Sequence, residues 1–190
     1  MVNLWQPIEQ TLGRPVPKLN PSTIGFVRHE VKNGAYWLRE GERCQHIAFI
    51  ERGMFRHYRL MDGREITRWI SLENGYCTSL ASFVHYRTSE ENIVAIQPTI
   101  IWQLRRDDWL RLQDQHPIFK DYWIKVLEYL YSCFEDRVWS LLSSDAPGKY
   151  DYLANRYPEL IRNVPQKYLA EMMGVAPRHL SRIRRQLMDG

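Results

Sequence analysis

The chain has 190 residues, 44% of them apolar and 25% charged, with a formal net charge of +4. That length holds one large domain or two small ones, and the composition is that of a folded protein rather than a disordered one. No run is long and apolar enough to span a membrane, and residues 1–7 lack the charged and apolar parts of a signal peptide. A cytoplasmic protein without membrane contact is therefore expected.

Residues 1–20 read as a short amphipathic helix followed by a proline-rich turn (Pro15, Pro17, Pro21), and Thr23–Glu30 as a further helical turn or two with Ile24, Phe26 and Val27 inward. From Ala35 the hydrophobic period switches towards two. Aromatic or β-branched runs at 35–38, 47–50, 54–60 and 65–70 alternate with Arg39–Glu42, Glu51–Gly53 and Met61–Arg64, each holding a turn glycine. Asp62-Gly63 is the strongest hairpin signal in the chain. After an irregular stretch, 92–96 and 99–104 supply two more strands. Short strands at regular spacing predict a sandwich or rolled barrel. On the strands alone a cupin-like jelly roll fits almost as well, but a cupin enzyme needs clustered His and Glu ligands. His46 and His57 lack that spacing and read as ordinary strand histidines, with no metal expected. Cys44, Cys77 and Cys133 are odd in number and far apart, which suits free buried thiols rather than a disulfide or metal framework.

Asp107–Leu110 begin a short helix, and Pro117–Ser143 a long one of roughly 40 Å. Its apolar stripe (Phe119, Trp123, Val126, Leu127, Leu130, Tyr131, Phe134, Val138, Leu141, Leu142) is wider than one packing contact requires. It predicts one flank on the strands and the other on a twin helix, with burial inside one chain as the alternative. Residues 143–148 form a hinge in which Ser144 or Asp145 caps a helix running to about Tyr157, where Pro158 stops it.

Val164–Leu187 reads as two short helices broken at Gly174, with Pro165 at the first helical position and Ala170 leaving room for a close crossing. At 100° per residue along the second helix, Arg182 and Arg185 fall within about 40° of Arg178. Leu180, Ile183 and Leu187 fall at about 140–200° from Arg178. A solvated basic face is the plain alternative, but the Ala-x-x-x-Gly-turn-helix context favours a helix-turn-helix that places guanidinium groups in a DNA major groove. From Ile161 onward six basic residues stand against two acidic ones, which accounts for the entire net charge and concentrates attraction for a polyanion at one end of the chain.

Pro165-Gln166, Leu169-Ala170, Gly174-Val175 and Leu180-Ser181-Arg182-Ile183-Arg184 closely resemble the DNA-reading segment of the CRP/FNR regulators, and Gly41, Gly53 and Gly63 stand where the turn glycines of their cyclic-nucleotide-binding β-roll stand. The resemblance covers nearly the whole chain. It implies an α+β fold with an N-terminal double-stranded β-helix or jelly-roll (cyclic-nucleotide-binding-like) domain over 1–116 and a dimerisation helix over 117–143. A helix-turn-helix DNA-binding domain would follow over 144–190, ending without the family's β-wing. The implied activity is that of a homodimeric transcription regulator on near-palindromic double-stranded DNA, with RNA polymerase as a further partner. Arg178, Ser181 and Arg182 would meet base edges and Arg185, Arg184 and Lys167 phosphates. Arg182 aligns with the family's base-contacting arginine, whereas Pro177 replaces a polar residue. The clustered N-terminal cysteines that hold an iron–sulfur cluster in some members are absent here.

Cyclic-nucleotide binders of the family carry Phe-Gly-Glu and then Arg-Ser/Thr-Ala; the matching stretch here runs from Asn74-Gly75-Tyr76-Cys77 to Ser89-Glu90-Glu91-Asn92. Gly75 is kept, Tyr76 takes the place of the glutamate and Ser89 that of the arginine. Losing the guanidinium and adding two carboxylates disfavours a phosphate, although Arg87 could swing in. The implied regulator is thus not cAMP-dependent and has either an unknown small-molecule effector or none. Tyr76, Thr78, Ser79, Arg87 and Ser89 are the pocket candidates, and no cofactor is expected. The chain shows no nucleophile–base pair, His-Glu-x-x-His, phosphate loop or catalytic carboxylate pair, so it is not read as an enzyme. The reading from another class is a ligand-sensing β-roll whose vestigial helix-turn-helix binds a protein.

Overall fold

The computed structural model describes residues 4–188, Leu187 and Met188 by their backbone alone. Helix α1 (Gln6–Leu12) precedes strands β1 (Val27–Val31), β2 (Tyr36–Leu38), β3 (His46–Arg52), β4 (Phe55–Met61), β5 (Arg64–Ser71) and β6 (Tyr76–Cys77). Helix α2 (Leu80–His85), strands β7 (Asn92–Ala95) and β8 (Thr99–Arg105), and helices α3 (Arg106–Gln115) and α4 (Pro117–Ser143) come next. The chain ends in α5 (Ala146–Arg156), α6 (Pro158–Asn163), α7 (Gln166–Met173) and α8 (Pro177–Met188). The strands form two four-stranded sheets, ordered β1-β8-β3-β6 and β2-β7-β4-β5. The expected architecture of β-roll, long helix and C-terminal helices is therefore present.

By contact density the chain divides into two compact units, Met1–His57 with Ser71–Tyr129 and Tyr58–Ile70 with Leu130–Gly190. The division runs through β4, β5 and α4. In the first unit the core takes Phe49 and Ile50 from β3, Ile93 from β7, Ile101 and Leu104 from β8, Ile8 from α1, and Phe119 and Tyr122 from the start of α4. β3 is buried at four consecutive positions, as a strand covered on both faces should be. The second unit buries Leu153, Leu160, Val164, Leu169, Ala170, Met172, Met173, Leu180 and Ile183.

Most of the strands and the long helix α4 lie where the hydrophobic period puts them. Asp62 and Gly63 turn the β4–β5 hairpin with φ of 50° and 73°, the mirror-image turn that matches strand twist. Asp145 caps α5 by accepting from the Gly148 amide at 2.9 Å. Four expectations need correction. Thr23–Glu30 is not helical beyond a 3-10 turn at Pro21–Ile24, because Gly25 ends it in the left-handed region and the β-branched Val27 and Val31 start a strand, leaving Val27 exposed. The stretch read as irregular holds β6 and α2, and a further short helix, α6, lies between Pro158 and the helix-turn-helix. Pro165 is the cap residue of α7 at ψ 135° rather than its first helical residue. Cys44 and Cys77 are buried free thiols, but Cys133, on the outer half of α4, is only half-buried.

Gly53 lies at φ 104°, and a Cβ built there would come within 2.7 Å of the Thr99 Cα. Gly53→Ala is therefore expected to lower unfolding free energy by about 2–4 kcal/mol. Urea unfolding would show this as a fall in midpoint at unchanged m-value.

Candidate nucleic-acid interface and β-roll interior

Helix α7 ends at Gly174, whose φ of 66° lets its amide and that of Val175 bond back to Glu171 and Ala170 at 3.0 Å each. The chain then re-enters a helix at Pro177. Leu180 and Ile183 of α8 are buried, as are Leu169 and Ala170 of α7, while Arg178, Arg182 and Arg185 are exposed. The three guanidinium groups thus share the outward face, one turn after another. Arg178 and Arg185 have no hydrogen-bond or ion-pair partner among the described residues, so both are available to an external anion. Arg184, a further 120° or so around the helix from Arg178, is half-buried, and Lys167 is exposed near the start of α7. Leu187 was expected on the buried face and lies outside the described side chains.

Ser181 is exposed but engaged: its Oγ donates to the Pro177 carbonyl at 3.1 Å and accepts a short hydrogen bond from Gln166 Nε2. Gln166 also donates to the Pro177 carbonyl at 3.0 Å. One amide side chain at the first residue of α7 therefore clasps the first turn of α8. Sequence reasoning had quoted Gln166 only as part of a resemblance. A polar residue at the start of one helix, a fixed distance before the next, is the signal that could have found it. His179 was also missed; its ring lies 3.0 Å from Arg182 Nη2.

The helix pair is anchored within its own unit by a half-buried cation. Arg137 of α4 donates from Nη2 to the Met172 carbonyl at 3.1 Å, at the C-terminal end of α7, where the helix dipole favours positive charge. Its guanidinium carbon lies 5.7 Å from the centroid of the Trp69 ring, and Trp69 meets Tyr157 edge-on at 5.0 Å. Burial pushes the Arg137 pKa down, which is the desolvation that these contacts offset. Thr67, from the same β5 segment as Trp69, donates a short hydrogen bond to Glu171 Oε2 of α7. Thus strand β5 of the β4–β5 hairpin and the helix-turn-helix are tied together inside one compact unit.

In the first unit the pocket candidates are distributed unevenly. Ser79 Oγ lies 3.2 Å from Ser89 Oγ, and Ser89 donates in turn to the Glu91 carbonyl at 2.8 Å. Thr78 instead donates to the His46 carbonyl at 3.1 Å and lies 3.3 Å from Cys44 Sγ. Tyr76 packs against Phe49 and Tyr122, its hydroxyl donating to the Leu4 carbonyl at 3.3 Å; burial raises its phenol pKa well above the ordinary value. Arg87 is exposed and pairs with Glu90 at 3.7 Å. The structure therefore joins Ser79 and Ser89 and leaves the other three on separate partners. Glu91 is buried with its Oε2 3.8 Å from His57 Nδ1, while His57 Nε2 lies 2.9 Å from Ser71 Oγ. An open cleft of about 520 Å³ along the β2–β3 connection, from Trp37 to His46, includes none of the five candidates. Among the described residues no group of three His, Cys, Asp or Glu side chains could hold a metal ion, and no helix is long and apolar enough to cross a membrane.

The β-roll, the long helix and the C-terminal helices after it make up a fold that the chain shares with solved proteins. Residues 28–116 match the family model described as cyclic nucleotide-binding domain. Among solved structures the chain is similar to a CooA variant from Carboxydothermus hydrogenoformans (TM-score 0.75, 16% identity, 99% of this chain and 85% of that one). It is also similar to FixK2 from Bradyrhizobium japonicum (0.71, 16%, 86% and 85%). A third is a transcriptional regulator from Eubacterium rectale described as a member of the CRP/FNR family (0.65, 18%, 90% and 84%). No curated protein matches the chain. At these identities the likeness is one of fold, and none of the three is described as an enzyme.

Arg137→Ala leaves the Met172 carbonyl without its donor in a buried position. The variant is expected to lose about 1–3 kcal/mol of stability, measured as a lower thermal midpoint of the full chain.

Proposed function

We propose that the protein is a DNA-binding transcription regulator of the CRP/FNR type, acting as a homodimer on a near-palindromic duplex site without dependence on cAMP. The observation that carries this reading is the opposition on α8 between buried Leu180 and Ile183 and exposed Arg178, Arg182 and Arg185. An arginine fork can meet guanine through two hydrogen bonds, so Arg178 and Arg182 are assigned to base edges. Arg185, Arg184 and Lys167 are assigned to phosphates, which fix register without carrying sequence. Ser181 supports the reading helix through Gln166 and has its remaining capacity for DNA.

Dimerisation is supported by the outer half of α4. Leu130, Tyr131, Phe134, Trp139 and Leu142 are all exposed, Leu142 at 76%. A run of this kind at helical spacing calls for a partner surface. Two copies related by a twofold axis would set their reading helices about one DNA turn apart, roughly 34 Å. Independence from cAMP is supported by Glu91, a buried carboxylate in the stretch where a phosphate-binding arginine would be needed, and by Ser79 and Ser89 bonding each other. RNA polymerase as a partner, a small-molecule effector of other chemistry and a cytoplasmic location complete the proposal.

Duplex binding measured by gel shift across a salt series is expected to give a steep log–log slope, shallower for the Arg178→Ala, Arg182→Ala, Arg185→Ala triple variant, and unchanged by cAMP. Equal slopes for the two proteins overturn the reading. Phe134→Glu is expected to shift the protein from dimer to monomer in sedimentation equilibrium and to weaken binding to a two-half-site duplex roughly 100-fold.

A further inference from the structure

Arg182 has one hydrogen-bond partner among the described residues, the His179 ring, with Nη2 3.0 Å from Nε2. A guanidinium carries only donors. In this pair the ring nitrogen can therefore act only as the acceptor. The two residues are three apart on α8, where side chains are neighbours on the helix surface. Arg182 is exposed and His179 half-buried, so the histidine is the more fixed member of the pair. Gln166 of α7 is committed to Pro177 and Ser181.

We propose that His179 is a positioning residue for base recognition, accepting from the Arg182 guanidinium and so holding it in a set orientation. The inference rests on the DNA-binding reading above. An arginine that bonds two atoms of one base must give up its rotamer freedom to do so, and a side chain oriented beforehand gives up less.

The test uses the full chain, a duplex selected by it from a random pool, and a scrambled duplex of the same composition. The measured quantity is the ratio of the two affinities at neutral pH. His179→Ala is expected to lower that ratio about three- to tenfold with an unchanged circular dichroism spectrum. His179→Gln, whose Oε1 accepts from a guanidinium, is expected to restore the wild-type ratio. A His179→Ala ratio equal to wild type, or a His179→Gln ratio as low as that of His179→Ala, overturns the positioning role alone. Absence of salt-dependent binding by the wild type to either duplex overturns the DNA reading and this inference together.

Discussion

Burial of Leu180 and Ile183 in the helical unit is the constraint on which the reading depends. Once those two side chains point inward, the 100° step of an α-helix leaves no choice about where Arg178, Arg182 and Arg185 go. The arginines therefore need no contact with the rest of the protein to be oriented as a group. That separation also explains why the face can be strongly basic at little cost to folding: its charges stay in water until a polyanion displaces the water. Gly174 supplies the break that allows α8 to cross α7, and Ala170, fully buried, allows the crossing to be close.

The β-roll interior follows a different electrostatic logic. A cyclic phosphate needs a cation and convergent amide or hydroxyl donors. Here the serines that could have donated are bonded to one another and to the backbone at Glu91, and the buried acid is Glu91 itself, near His57. An anion brought beside that carboxylate would meet repulsion in a medium of low polarity, where it is poorly screened. The only nearby guanidinium from the cassette stretch, Arg87, is at the surface with Glu90. A family-type scaffold thus carries an interior of its own chemistry.

How much of this could be read from the sequence varied with the range of the interaction responsible. Strands β3, β4, β5, β7 and β8 were legible because alternation and turn residues are local. The long helix α4 and the helix-turn-helix were legible because a 3.6-residue period needs no knowledge of the partner. β1 was misread since its residues, largely exposed, give no alternation to detect, and β6, with two residues, has no pattern at all. The arginine face could be derived from angles alone. The Gln166–Ser181 clasp, the His179–Arg182 pair and the bond from Arg137 to the Met172 carbonyl could not, for each depends on how two segments or side chains meet in space. The same holds for the grouping of the β4–β5 hairpin with the helix-turn-helix, which Thr67, Trp69 and Arg137 bring about.

The first turn of α8 shows how the departures from the family pattern fit together. Proline at 177 has no amide to offer a phosphate and no polar side chain to offer a base. Its carbonyl is instead the common acceptor for Gln166 and Ser181, so the opening of the helix is turned inward as an anchor. On the proposed DNA-binding function, base contacts fall to side chains long enough to reach past that anchor, and Arg178 and Arg182 are assigned to them. Arginine suits this better than lysine, because its planar fork can satisfy two acceptors of one base while lysine acts as a point charge. A fork, however, discriminates only if its plane is set, and on a solvent-exposed face nothing in the core sets it. A neighbouring acceptor on the same helix does, and the first residue a turn before Arg182 able to provide one is His179.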